Sequence, residues 1–138
     1  MITYHENIPT NSTDLTNLYD SVGWKAYTEH PDKMECILDR SLWYLTVRVD
    51  SELIGLVRVV GDDCSIIYIQ DLLVDPRYQR QGIGAELIRR TLEQFSHVRQ
   101  IVLVSDKEPA ITAFYRSVGM QPIEQVGGVC FVRYAREV

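Results

Sequence analysis

The spacing of apolar side chains changes several times along this chain, and each change marks an element. Residues 2–5 read as a short first strand. Asn11-Ser12-Thr13-Asp14 supplies helix N-cap side chains, after which Leu15, Leu18, Tyr19 and Val22 recur at helical spacing until Gly23 ends the pattern. Pro31-Asp32 opens a second helix with Met34, Ile37 and Leu38 on one side. Residues 42–49 and 53–60 are apolar, β-branched runs joined by Asp50-Ser51-Glu52, the pattern of an antiparallel hairpin. Gly61-Asp62-Asp63 turns the chain into a long strand, Ile66–Val74.

From residue 82 the period becomes helical again. Ile83, Leu87, Ile88, Leu92 and Phe95 form a broad apolar stripe over 82–95. The short apolar run 101–104 predicts a buried strand, so strand, helix and strand make a right-handed crossover between parallel strands. Pro109 starts a helix that Gly119 ends, and runs at 121–126 and 129–135 around Gly127-Gly128 predict a closing hairpin. The sum is an α/β (α+β) fold. Its mixed central sheet has about seven strands, antiparallel at the start and parallel in the middle, flanked by about four helices.

Composition adds limits to this picture. The 138 residues predict a single domain, 1–138, long enough to bury a core without disulfides or metal. Hydrophobic content of 46% and charged content of 24% are ordinary for a globular protein. The net charge of −5 argues against general nucleic-acid binding and is compatible with a cationic substrate such as an amine. Cys36, Cys64 and Cys130 have neither disulfide nor zinc spacing and read mostly as buried, inert thiols. His5, His30 and His97 are scattered, with no partner spacing, and no metal site is expected. No basic-then-apolar leader appears, and no run approaches the roughly 18 apolar residues of a membrane span. A cytoplasmic setting without membrane contact is the expectation.

The most informative stretch is Val74-Asp75-Pro76-Arg77-Tyr78-Gln79-Arg80-Gln81-Gly82-Ile83-Gly84-Ala85. An apolar strand runs into a turn, and a helix starts at two glycines. A helix start carries free N–H groups and the positive end of the helix dipole, so this is a candidate phosphate site. A P-loop would need Lys-Ser/Thr after the glycine, where Ala85-Glu86 stands, and a dinucleotide fingerprint would need a glycine at Leu87. Both fail.

Gln79-Arg80-Gln81-Gly82-Ile83-Gly84 fits Gln/Arg-x-x-Gly-x-Gly/Ala, and Ala113-Phe114-Tyr115-Arg116-Ser117-Val118-Gly119-Met120 follows on the next helix and turn. This pair resembles the acetyl-CoA motif and the C-terminal helix motif of the GNAT superfamily of N-acetyltransferases. The order of elements resembles that fold across nearly the whole chain.

The resemblance implies acetyl-CoA as co-substrate. The backbone N–H groups of Gln79, Arg80, Gln81, Gly82, Ile83, Gly84 and Ala85 would hold its pyrophosphate, and the Arg80 side chain could add a charge-assisted contact. Leu72, Leu73 and Val74 match the strand whose bulge frees backbone groups for the pantetheine arm. Ser105 matches a polar position near the cofactor. Tyr115 matches the general acid that protonates the departing thiolate, because a phenol is protonated at neutral pH.

Asp71 is the only acid inside Ile66–Val74. It could be the base that deprotonates the amine, an anchor for the substrate ammonium, or a structural hydrogen-bond acceptor. Simple alternation puts it beside Ile67, Ile69 and Leu73, an odd place for a carboxylate that a bulge would change. Leu18-Tyr19-Asp20-Ser21-Val22-Gly23-Trp24 resembles a sub-group with small acceptors, including aromatic amines, and its long connection reads as a substrate loop. Trp24 and Tyr27 would form an aromatic wall of the acceptor pocket, with cation–π contact available to an ammonium. Arg58, Arg133 and Tyr134 fall on predicted strands and could face either pocket or solvent.

The function expected is acetyl transfer from acetyl-CoA to a small-molecule primary amine by direct attack in a ternary complex. Two alternatives are acetylation of a protein N-terminus or lysine, and a non-catalytic acyl-CoA-binding sensor. Sheet edges and aromatic side chains are compatible with a homodimer.

Overall fold

The structure, a computed structural model, describes residues 1–135. It divides into two compact units, Met1–Val104 and Ser105–Val138.

The first unit holds a five-stranded sheet in the order β1-β2-β3-β4-β5. Its strands are β1 (Ile2–Glu6), β2 (Trp43–Val49), β3 (Glu52–Gly61), β4 (Ile66–Val74) and β5 (Gln100–Leu103). The first four pair antiparallel, and β4 pairs parallel with β5. The helices are α1 (Ser12–Ser21), α2 (Lys25–Thr28), α3 (Pro31–Cys36) and α4 (Ile83–Gln94). Asn11 caps α1 by accepting from the Asp14 N–H at 2.7 Å. The connection after α1 folds into the one-turn α2 rather than an open loop.

Alternation along β2 assigns the two layers. Tyr44 joins Leu56 and Leu73 beneath Leu15, Leu18 and Tyr19 of α1 and Met34 of α3. Its neighbour Trp43 points to the other face and meets Phe95, at the end of α4, edge-on at 5.5 Å. There Ile83, Leu87 and Ile88 of α4 are buried.

One irregularity decides where the polar chemistry goes. Arg58 of β3 faces Asp71 of β4, but the next pair is Val59 and Ile69, so Gln70 is an extra residue on β4. This is the expected bulge. It splits the set that strict alternation would keep together. Ile69 stays with Val59 and Trp43 on the α4 face, while Asp71 falls with Leu73, Leu56 and Tyr44 on the α1 face. The pairing of β4 with β5 stops at Ile69 and Leu103, so among the described residues the strand beyond the bulge is laddered on its β3 side only.

The second unit contains α5 (Pro109–Ser117), with Pro109 in its first turn. Gly119, at φ 96°, closes it, and the Met120 N–H returns to the Tyr115 carbonyl at 2.9 Å. Among the described residues the two strands expected at 121–126 and 129–135 are not formed, and the sheet has five strands rather than about seven. Pro122 leads into a 3₁₀ turn, Ile123–Val126, and Gly127 at φ 85° folds the chain back so that the Gly128 N–H reaches the Ile123 carbonyl at 3.0 Å. Those bonds replace the hairpin, and Val129, Phe131, Val132 and Tyr134 stand exposed. The cysteines also depart from expectation, because none is buried. Cys64 and Cys130 are exposed, in the turn before β4 and in the strandless segment, and Cys36 at the end of α3 is half-buried.

Leu56 sits at 0% exposure between α1 and the sheet. Leu56→Ala should lower unfolding free energy by about 2–5 kcal/mol in urea titration. A loss below about 1 kcal/mol would contradict this packing.

Candidate active site

Asp71 is 2% exposed, and a carboxylate that deep needs partners. It has three. The Arg58 Nε donates to Oδ2 at 2.8 Å, the Tyr19 hydroxyl donates to the same oxygen at 2.7 Å, and the Tyr27 hydroxyl donates to Oδ1 at 2.7 Å. Arg58 extends the network by donating from Nη1 to the Ser41 hydroxyl at 3.4 Å. Gln70, the bulge residue, donates from Nε2 to the Tyr27 hydroxyl at 3.1 Å. A bulge turns two consecutive side chains toward one side, which is why both Gln70 and Asp71 reach Tyr27.

The electrostatics follow from that geometry. Burial disfavours the Arg58 charge, but Asp71 outweighs it and holds the guanidinium pKa above its ordinary value. Burial, and then the adjacent Asp71 charge, push the Tyr19 phenol well up, and the same two causes raise Tyr27. Both phenols therefore remain donors at neutral pH.

The aromatic side chains lie against this network. The Tyr19 and Tyr27 rings are 4.8 Å apart, and Trp24 meets Tyr19 edge-on at 5.9 Å. Trp24 and Tyr27 are nearly parallel, 27° apart with centroids at 6.3 Å, and both are half-buried. Gly23 at φ 77° makes the turn that delivers Trp24, whose N–H returns to the Tyr19 carbonyl at 3.1 Å. Trp24 thus packs on the core and also presents a face. Two cavities of the first unit, of about 230 and 240 Å³, lie elsewhere, under Pro9, Met34 and Asp39 and beside Asn17, Glu52 and Arg77.

The second feature is the turn between β4 and α4. Asp75 caps a 3₁₀ turn (Pro76–Tyr78), accepting from the Arg77 N–H at 2.9 Å and from its guanidinium. Those contacts hold the Asp75 carboxyl below its ordinary pKa. Gln79 donates from Nε2 to the Val74 carbonyl at 3.0 Å and fastens the turn to the strand end. Arg80 at φ 64° and Gly82 at φ 83° are left-handed on either side of Gln81, and α4 begins at Ile83. Such alternation turns successive N–H groups toward a common anion, and the first-turn N–H groups of α4 have no capping side chain. Among the described residues nothing lies within 4 Å of where a Cβ on Gly82 would stand, so the space there is open to a ligand.

These features meet the comparisons with known proteins. The profile of the "Acetyltransferase (GNAT) family" matches residues 11–120. The chain belongs to this family. A solved GNAT-family acetyltransferase, SP0256 of Streptococcus pneumoniae, is 32% identical and superposes with a TM-score of 0.87 over 99% of this chain and 100% of its own. An uncharacterized ycf52-like N-acetyltransferase of Prochlorococcus marinus is 31% identical over 88% of this chain and 68% of its own length. A Glycine max protein named histone acetyltransferase TAP1 is 34% identical over 78% of this chain and 51% of its own, so the chain spans only part of these two relatives. The protein is therefore an acyltransferase of the GNAT fold.

Within this chain the predicted residues distribute unevenly. Asp71, Trp24 and Tyr27 come together around the bulge. Leu72, Leu73 and Val74 follow it on β4, and Gln79, Arg80, Gln81, Gly82, Ile83, Gly84 and Ala85 form the turn and the start of α4. Ser105 and Tyr115 lie in the second unit, where Ser105 is exposed and donates to the Asp106 carbonyl at 3.2 Å. Tyr115 is half-buried on α5, and burial raises its phenol pKa. Arg133 and Tyr134 are exposed and off any strand. Arg58, Tyr19 and Gln70 are the site residues that sequence reasoning did not assign. Among the described residues no group of three or more His, Cys, Asp or Glu could hold a metal, and no helix is long and apolar enough to cross a membrane.

Arg58→Met should cost about 3–5 kcal/mol in chemical denaturation, because it strands a buried carboxylate. Adding Asp71→Leu should recover most of the loss. Additive losses in the double variant would contradict a neutralised pair.

Proposed function

We propose that this GNAT acetyltransferase moves an acetyl group from acetyl-CoA to a primary amine of a small molecule, by direct attack in a ternary complex. The observation that carries the acceptor side is the half-buried Trp24–Tyr27 wall, fixed to the bulge through the Tyr27–Asp71 bond. A small ligand can be oriented by such a wall.

On the donor side, the open space at Gly82 and the left-handed residues at 80 and 82 support pyrophosphate binding along Gln79–Ala85. The one-sided ladder beyond the bulge supports pantetheine along Leu72, Leu73 and Val74. In this reading the amine nitrogen attacks the thioester carbonyl carbon. The C–S bond breaks with its electrons on sulfur, the Tyr115 hydroxyl, kept protonated by its raised pKa, donates to the thiolate, and the proton shed by the nitrogen passes to solvent, from which the phenolate is reprotonated. Of the three roles open to Asp71, its contacts support the hydrogen-bond acceptor, because Arg58 and two phenols already engage both oxygens. Asp71 positions Tyr27.

Acetylation of a protein amine is the second reading, favoured by the name of the soybean relative. Free-thiol release measured over a panel of small amines and peptides separates the two. Small amines should support turnover and peptides should not, and the reverse result would select the second reading. Binding of acetyl-CoA without release across the panel would mean a sensor.

Tyr115→Phe should lower kcat by about tenfold or more with little change in acetyl-CoA affinity. Gly82→Val, forced into φ +83°, should do the opposite and raise the KM for acetyl-CoA several-fold. Unchanged turnover in the first variant, or unchanged KM in the second, would remove the assigned role.

A further inference from the structure

Two hydrogen bonds beside the bulge run in one direction, and the carboxylate at their end sets it. Asp71 Oδ1 can only accept, so the proton between it and Tyr27 belongs to the Tyr27 hydroxyl, which donates at 2.7 Å. With its proton directed there, the Tyr27 oxygen meets Gln70 as an acceptor, and the Gln70 Nε2 donates to it at 3.1 Å. The Gln70 amide therefore turns its nitrogen to Tyr27 and its carbonyl oxygen, Oε1, away from it. Gln70 is exposed, and the bulge sets it beside the Tyr27 ring of the aromatic wall. Each bond in such a chain polarises the next, so the Asp71 charge makes the Tyr27 oxygen, and through the amide Oε1 itself, a stronger acceptor.

We infer that Gln70 is a catalytic residue of the proposed reaction, whose Oε1 accepts a hydrogen bond from an N–H of the attacking amine and aims the nitrogen lone pair at the thioester. This deepens the small-amine reading above and rests on it. Tyr27 is then a positioning residue, because it fixes which end of the amide meets the amine. The bond to Oε1 is strongest in the transition state. As nitrogen bonds to the thioester carbon it becomes positively charged, and its N–H groups become better donors. A primary amine carries two protons on that nitrogen. One stays bonded to Oε1 and becomes the amide N–H. The other is lost to solvent, the C–S pair leaves on sulfur, and the thiolate takes up one proton, so the products are an amide and a thiol.

Turnover of benzylamine with acetyl-CoA tests this in the wild type, Gln70→Met, Tyr27→Phe and the double variant. Gln70→Met keeps the length of the side chain and removes the acceptor oxygen. Its kcat and kcat/KM for benzylamine should fall together by about tenfold or more, the effect of one hydrogen bond to a charged group, with the KM for acetyl-CoA and the thermal midpoint unchanged. Tyr27→Phe keeps the ring but removes the hydroxyl that orients the amide, and it should lower kcat as well. Because Tyr27 acts through Gln70, the double variant should lose no more kcat than the larger single loss, whereas independent roles would multiply. Gln70→Met alone decides the matter where Tyr27→Phe lowers the thermal midpoint too far for assay. Unchanged kcat in Gln70→Met, or multiplied losses in the double variant, overturns this inference and leaves the small-amine reading standing. A wild type that turns over peptides or nothing, and not benzylamine, overturns both.

Discussion

A carboxylate at 2% exposure in the middle of a sheet exists only because a cation stands against it, and the Arg58–Asp71 pair meets that condition here. Isolated, either charge would cost several kcal/mol to bury. Together they are neutral, and the remaining lone pairs of Asp71 become fixed acceptors for Tyr19 and Tyr27. Those two phenols come from α1 and α2, so one buried pair ties the helical layer to the sheet beside the Trp24–Tyr27 rings.

The pair depends in turn on the backbone. Continuing the Val59–Ile69 register would set Arg58 opposite Gln70. The extra residue shifts the register by one, brings Asp71 opposite Arg58 and moves Gln70 out to the exposed side of Tyr27. It coincides with the end of the β4–β5 pairing, so one irregularity separates the Trp24–Tyr27 wall from a stretch of β4 that, among the described residues, is paired on its β3 side only. In the function proposed above, that division gives backbone groups to the donor and side chains to the acceptor.

Much of this was legible in the sequence. The two glycines and the turn before α4 have a local cause, and local causes can be read from local spacing. The first strand, the antiparallel hairpin, the crossover helix and the helix closed by Gly119 were legible for the same reason. The direction of Asp71 was not, because it depends on a register shift between two strands that no apolar pattern records. Arg58 and Tyr19 were hidden for the same cause. Arg58 sits in a strand where either face is available, and Tyr19 counts as apolar in a helical stripe although its hydroxyl reaches Asp71. The closing strands were over-read. Residues 121–126 and 129–135 have β-forming composition, but Pro122 and the left-handed Gly127 close a 3₁₀ turn instead.

In the proposed reaction Asp71 is a neutralised positioning residue rather than the base. The direct measurement is the pH dependence of kcat/KM for acceptors of different basicity, in the wild type and in Asp71→Asn. The acidic limb should follow the pKa of each acceptor amine and stay in place when Asp71 becomes Asn. A limb that is common to all acceptors and vanishes in Asp71→Asn would contradict it.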